Sequence, residues 1–145
     1  MSWRVARRKD KTGRISVFKG REAKLNRAIF QVLALKGPLT VYDVHKELRT
    51  QKGLEHTKYT NVNRRVRALE RSRYLRKTGT RPTLAGFEAS LYELATRGYA
   101  ALVFDQINLD RFIKSAKENE IVQALAIFAC AHNPFIHESS QTTYN

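Results

Sequence analysis

Residues 58–82 read KYTNVNRRVRALERSRYLRKTGTRP, with nine Lys or Arg and a single acid, Glu70. The side chains that could do chemistry here are the guanidinium groups of Arg64, Arg67, Arg71, Arg76 and Arg81, the ammonium groups of Lys58 and Lys77, the amides of Asn61 and Asn63, and the hydroxyl of Thr60. A guanidinium is a fixed fork of donors that grips two acceptor oxygens at once, and an amide offers one donor face and one acceptor face. None of them stands in a motif that would activate a nucleophile or a general base. The chemistry they suit is recognition of anionic, acceptor-rich surfaces, in which Arg pairs with guanine, Asn with adenine, and Lys or Arg with phosphate.

Such groups need a rigid element to aim them. Val62, Val66 and Leu69 recur at helical spacing, which predicts a helix from about residue 57 to 73 with Tyr59 on its flank. At 100° per residue, Thr60, Arg64, Arg67 and Arg71 lie opposite that apolar stripe, with Asn61 and Asn63 on either side. Lys58, Thr60, Asn61 and Arg64 sit near the N-terminal end. Two helices are expected before it. Leu25, Ile29, Val32 and Leu33 define the first, stopped by Gly37 and Pro38. Val41, Val44 and Leu48 define the second, with Thr40 as N-cap and Asp43 three residues on, as in a capping box.

Beyond residue 73 the pattern changes. YLRK and FEASLYEL read as two strands, joined through the turn residues Gly79, Pro82 and Gly86. In the second strand Phe87, Ala89 and Leu91 alternate with polar residues, and the register shifts at Tyr92. Arg76, Lys77 and Arg81 fall on or near this hairpin. Thr96, Arg97 and Gly98 open a fourth helix running through Ala101 and Leu102. Leu109, Phe112, Ile113 and Ala116 form a further helical stripe, and NEIVQALAIFACAH is apolar nearly all round, up to Pro134. The expected fold is mainly α with a small β-hairpin, α+β. Its parts are a basic arm or hairpin over 1–20, a domain over 21–104, a helical extension over 105–133 and a polar tail over 134–145.

Charge divides along the same lines. The 145 residues carry a formal net charge of +14, yet residues 82–145 hold four basic and seven acidic side chains. An excess of that size repels itself and points to an anionic partner for the first part of the chain. The single cysteine rules out an intrachain disulfide and fits a reducing compartment. No secretory signal and no run of about 20 apolar residues is visible, so neither export nor a membrane span is expected. Cys130, His132 and His137 lack a nearby fourth ligand, so no metal is expected. No phosphate-binding glycine loop or nucleophile motif appears, so neither an enzyme nor a cofactor is expected.

The succession of three helices, a hairpin and a helix resembles a winged helix-turn-helix domain. YLRKTGTRPTLAGFEASLYELATRGYAAL is similar to the wing of bacterial and archaeal regulators of the MarR and PadR kind, in which Gly-Leu/Ile precedes Tyr-x-Leu-Thr-x-x-Gly and a later Leu. The matching residues are Tyr74, Leu75, Tyr92, Leu94, Thr96, Gly98 and Leu102. Two departures stand out: Arg73 occupies the glycine position before the first wing strand, and Ala95 is inserted before Thr96.

The resemblance implies double-stranded DNA as partner, with the helix over 57–73 in the major groove and the wing over 74–94 on an adjacent groove or the backbone. It implies a cytoplasmic, nucleoid-associated transcription regulator. The apolar helix near the C-terminus implies a homodimer through residues 105–132. The alternatives are an RNA-binding or ribosome-associated winged-helix module, an architectural DNA-binding protein without sequence preference, and an adaptor for an acidic protein.

Overall fold

The structure, a computed structural model, describes residues 15–132. The chain divides into two compact units between Gln106 and Ile107.

The described part of the first unit opens near one 3-10 turn, Ser16–Phe18, where the second strand of a hairpin is one of the two expectations. The rest of the expected N-terminal arm or hairpin lies outside the described residues. The reason for the turn is Phe18, which is fully buried and packs edge-on against Phe30 with ring centroids 5.1 Å apart. Helix α1, Ala23–Lys36, buries Ile29, Phe30, Val32 and Leu33. Helix α2, Val41–Leu48, starts where its cap predicts: Thr40 Oγ1 accepts the Asp43 N–H at 3.2 Å. Helix α3, Tyr59–Arg71, buries Val62, Val66 and Leu69. At about 1.5–3 kcal/mol per fully buried aliphatic side chain, these three anchor the helix to α1 and α2.

Strands β1, Leu75–Pro82, and β2, Glu88–Leu94, form an antiparallel hairpin running from Leu75 opposite Leu94 to Pro82 opposite Glu88. The register breaks between Lys77 and Gly79, opposite the Leu91–Tyr92 step where the sequence alternation shifts. That break puts Tyr92 and Leu94 in the core. Phe87 does not start the inward face as its alternation suggests; it stands 74% exposed at the hairpin tip, beyond the reach of the core. Leu39 adds a third short rung, exchanging backbone hydrogen bonds with Tyr92 at 2.9 and 2.8 Å. Helix α4, Thr96–Gln106, returns to α1, and Arg27 grips Asp105 through Nε (2.7 Å) and a second nitrogen (3.0 Å).

The fold is thus α+β, a winged helix-turn-helix with helices continuing beyond it. The second unit contains α5, Leu109–Ser115, and α6, Glu118–His132. Asn108 caps α5 by accepting the Arg111 N–H at 2.9 Å. No helix among the described residues is long and apolar enough to cross a membrane.

Candidate nucleic-acid interface

Helix α3 separates its two duties by face. Val62 and Val66 are fully buried, while Lys58, Thr60, Asn61, Arg64, Arg67 and Arg71 are all exposed. Asn63 is half-buried and accepts from Arg67 Nε at 3.3 Å, one helical turn on. Lys58 is the N-cap residue, with extended backbone and no side-chain cap bond. Among the described residues, Lys58 and Arg71 have no side-chain partner, so their charges stand fully available.

Arg64, Arg76, Lys77 and Arg81 each meet a carboxylate. Arg64 Nη2 lies 3.4 Å from Glu22 Oε1. Arg76 pairs with Glu93, its neighbour across the hairpin. Lys77 Nζ lies 3.9 Å from Glu70 and 5.9 Å from the centre of the Tyr92 ring. Arg81 Nη2 lies 2.7 Å from Asp43 Oδ2. All four cations are more than half exposed, so these pairs are worth about 0–1 kcal/mol each and a phosphate can displace them.

Two features near α3 do not follow from its helical faces. Arg65 is turned inward: its Nε donates to Asn26 Oδ1 at 3.0 Å. The signal was present in α1, where Asn26, Ile29, Phe30 and Leu33 share the buried face and Asn26 is the polar member, 2% exposed. Arg73 is the second. It has φ of +63°, the left-handed region, and is the one non-glycine residue with positive φ among those described. The α3 terminus explains it. Tyr74 N–H bonds to Leu69 O and Arg73 N–H to Glu70 O, both at 2.9 Å, a Schellman closure that requires a left-handed residue between helix and wing. The family pattern puts glycine there; this chain puts a cation.

Gly98 has a steric reason to match the pattern. A Cβ on it would lie 2.4 Å from the Tyr74 carbonyl oxygen and 2.8 Å from Leu94 Cδ2. The same carbonyl accepts the N–H of Ala95 at 2.9 Å, so the residue that departs from the pattern extends the hairpin by one more bond. Tyr59, 44% exposed, meets His45 edge-on at 5.8 Å, and Tyr74 packs on Phe30 at 5.8 Å; both rings are engaged within the domain.

No protein-family model matches the chain, and no curated protein matches its sequence. Solved structures do resemble it. Bacillus subtilis PadR in complex with operator DNA superposes with a TM-score of 0.50 at 20% identity, over 75% of this chain and 61% of that one. A PadR-like transcriptional regulator from Bacillus cereus gives 0.49 at 14% identity, over 70% and 94%. A Streptococcus transcriptional regulator gives 0.49 at 17%, over 72% and 99%. At this identity the likeness to the Bacillus subtilis protein is one of fold, and it agrees with the winged helix-turn-helix architecture described above.

Proposed function

We propose that the chain is a transcription regulator that binds double-stranded DNA, with α3 in the major groove and the β1–β2 wing on the adjacent groove or backbone. One observation carries the reading: α3 buries Val62, Val66 and Leu69 while exposing Thr60, Arg64, Arg67 and Arg71 on its opposite side, Asn61 on its flank and Lys58 at its N-cap. A single α-helix fits the major groove, and its N-terminal residues reach base edges. Asn61 and Arg64 are placed to read bases; Arg67 and Arg71 lie further along the helix and suit phosphate. Arg76, Lys77 and Arg81 supply the wing. The fold is shared with a protein whose structure was solved on operator DNA, which supports this choice over other anionic partners.

The proposal includes a homodimer through residues 105–132. Its support is the apolar surface of the second unit, where Leu109, Ile113, Val122, Leu125 and Ile127 are each more than half exposed. The two described helices of this unit have too little core to cover such side chains by themselves, and a two-fold partner would. The protein would act by binding rather than catalysis, in the cytoplasm on the nucleoid.

The test is a titration of the full chain against duplex DNA, a structured RNA and an acidic peptide at two salt concentrations. Duplex DNA should bind tightest, and its affinity should fall steeply with salt as counterions are released. Tighter binding to the RNA would replace the reading with an RNA-binding module.

A further inference from the structure

A cavity of about 660 Å³, widely open to solvent, lies behind α3, bounded by the segment before α1, the inner flank of α3 and the start of α4. Its size is that of a small-molecule site. Lys19, Arg65 and Arg97 line it, and among the described residues none of the three is paired with a carboxylate. The acid in the lining, Glu22, is 3.4 Å from Arg64. Three cations against one acid leave the lining with a net positive charge that suits an anion.

Two of the three cations, Arg65 and Arg97, are also held in place. Asn26 is 2% exposed, and both ends of its amide are used: Nδ2 donates to Val17 O at 2.7 Å, and Oδ1 accepts from Arg65 Nε at 3.0 Å. That fixes the Arg65 guanidinium by one nitrogen and leaves two for a ligand. Arg97 is held in the same way, with Nη1 donating to Ser72 O at 3.1 Å. Forks positioned by one edge suit an oxygen-bearing anion. Tyr74, Val17 and Leu69 give the cavity an apolar wall, which suits a carbon skeleton attached to that anion.

We propose that this cavity binds a small organic oxyanion, a phosphate ester or carboxylate, between Arg65 and Arg97 with Lys19 at its rim. Arg65 belongs to α3, so occupancy fixes the helix from behind and cancels positive charge beside it. The further consequence, weaker duplex binding when the cavity is filled, rests on the DNA-binding reading; the binding of the anion does not.

The same oxyanion chemistry could come from the DNA backbone, and the experiment separates the two. Inorganic phosphate is the probe, compared with chloride at equal ionic strength on the full chain by thermal melting and calorimetry. Phosphate should raise Tm saturably where chloride does not, because a ligand of the folded state stabilises it by mass action. Arg97→Gln and Lys19→Gln, both at exposed side chains, should each weaken phosphate binding about tenfold, the effect of losing one charge-assisted contact. Lys46→Gln, outside the cavity, should leave it unchanged.

Phosphate indistinguishable from chloride, or unaltered binding in Arg97→Gln and Lys19→Gln, overturns the proposal. In the absence of phosphate, Arg97→Gln should keep duplex affinity within about twofold, since a site for a free anion is not a DNA contact. A large loss there, with a shallower salt slope, would assign the cavity to a backbone phosphate and overturn the small-ligand site. If the chain binds phosphate but no duplex, the anion site stands and the DNA-binding reading falls.

Discussion

Arg81, at the far end of β1, places Nη2 2.7 Å from Oδ2 of Asp43 in the first turn of α2. That oxygen is buried and receives no aligned hydrogen bond, so the guanidinium charge and the N-terminal end of α2 are what offset its desolvation. The pair pins the wing to the helix-turn-helix. Arg81→Gln should therefore lower stability by about 1 kcal/mol, discounted from a buried-pair value because Arg81 is half exposed. Asp43→Asn separates the two jobs of Arg81. It frees the wing yet keeps the cation, and the α2 cap survives because Thr40 uses the backbone N–H of residue 43. If Arg81 also meets phosphate, Asp43→Asn should hold or raise duplex affinity while Arg81→Gln lowers it. A fall of equal size in both would show that wing position, not charge, is what matters.

The Arg27–Asp105 clamp makes a different prediction. Its hydrogen bonds to Asp105 raise the Arg27 pKa above the ordinary arginine value, partly opposed by desolvation. A cation whose folded-state pKa is raised contributes fully below its unfolded value and loses the contribution only as pH climbs past that range. Replacing Arg27 with Met should cost about 1–2 kcal/mol, including loss of its stacking over Phe18 at 5.1 Å. The cost should be the same at neutral and at mildly alkaline pH. Urea melts of both proteins at the two pH values check this, and a cost that vanished under mildly alkaline conditions would rule the clamp out as its source.

Arg73→Gly should stabilise the domain. A left-handed non-glycine residue costs about 1–2 kcal/mol, of which glycine's larger unfolded-state entropy returns a part, leaving a gain of about 0.5–1 kcal/mol. The same change removes an exposed cation between α3 and the wing. Denaturant midpoints should rise while duplex affinity falls or stays level. A lower midpoint would mean that Arg73 makes a contact worth more than its strain.

Much of this architecture was legible because local and tertiary signals agree. Thr40 is a cap by its own chemistry, and Val62, Val66 and Leu69 cannot share a helix face without burying it. The outward set on α3 follows from the same geometry. What stayed hidden depends on partners distant in sequence. Nothing near Arg65 announces Asn26, 39 residues away, and nothing near Arg81 announces Asp43. The 3-10 turn at residues 16–18 was invisible for the same reason, since alternation fits a strand until Phe18 finds Phe30. Phe87 shows the converse error: an apolar residue in correct alternation, carried past the edge of the core by the length of the hairpin.

The dimer proposal can be tested without truncation. Val122 and Leu125 lie one turn apart on α6 and are 57% and 63% exposed, so charging both should not disturb the first unit. The full chain should scatter light as a dimer at micromolar concentration. Val122→Glu with Leu125→Glu should scatter as a monomer, with an unchanged unfolding signal from the first unit and weaker binding to duplexes carrying two half-sites. A wild-type monomer would show that the α5–α6 surface serves another partner.

Reading a sequence and holding a backbone should separate along α3. Arg64 is exposed one turn into the helix and is held only by the weak contact with Glu22 at 3.4 Å, so it can turn to a base edge at small cost. Arg71 lies two turns further, on the same face, with no side-chain partner among the described residues. Lys77 sits on the wing beside Glu70. Arg64→Ala should cost about 1–3 kcal/mol on the preferred duplex and relax discrimination against scrambled ones. Arg71→Ala and Lys77→Ala should weaken both duplexes about equally, each lowering the salt slope by roughly one unit. The substituted side chains are exposed, so circular dichroism should show no change in fold. Equal losses for Arg64→Ala on preferred and scrambled duplexes would mean that α3 senses DNA shape and charge alone, and the protein would then be architectural rather than a sequence-specific regulator.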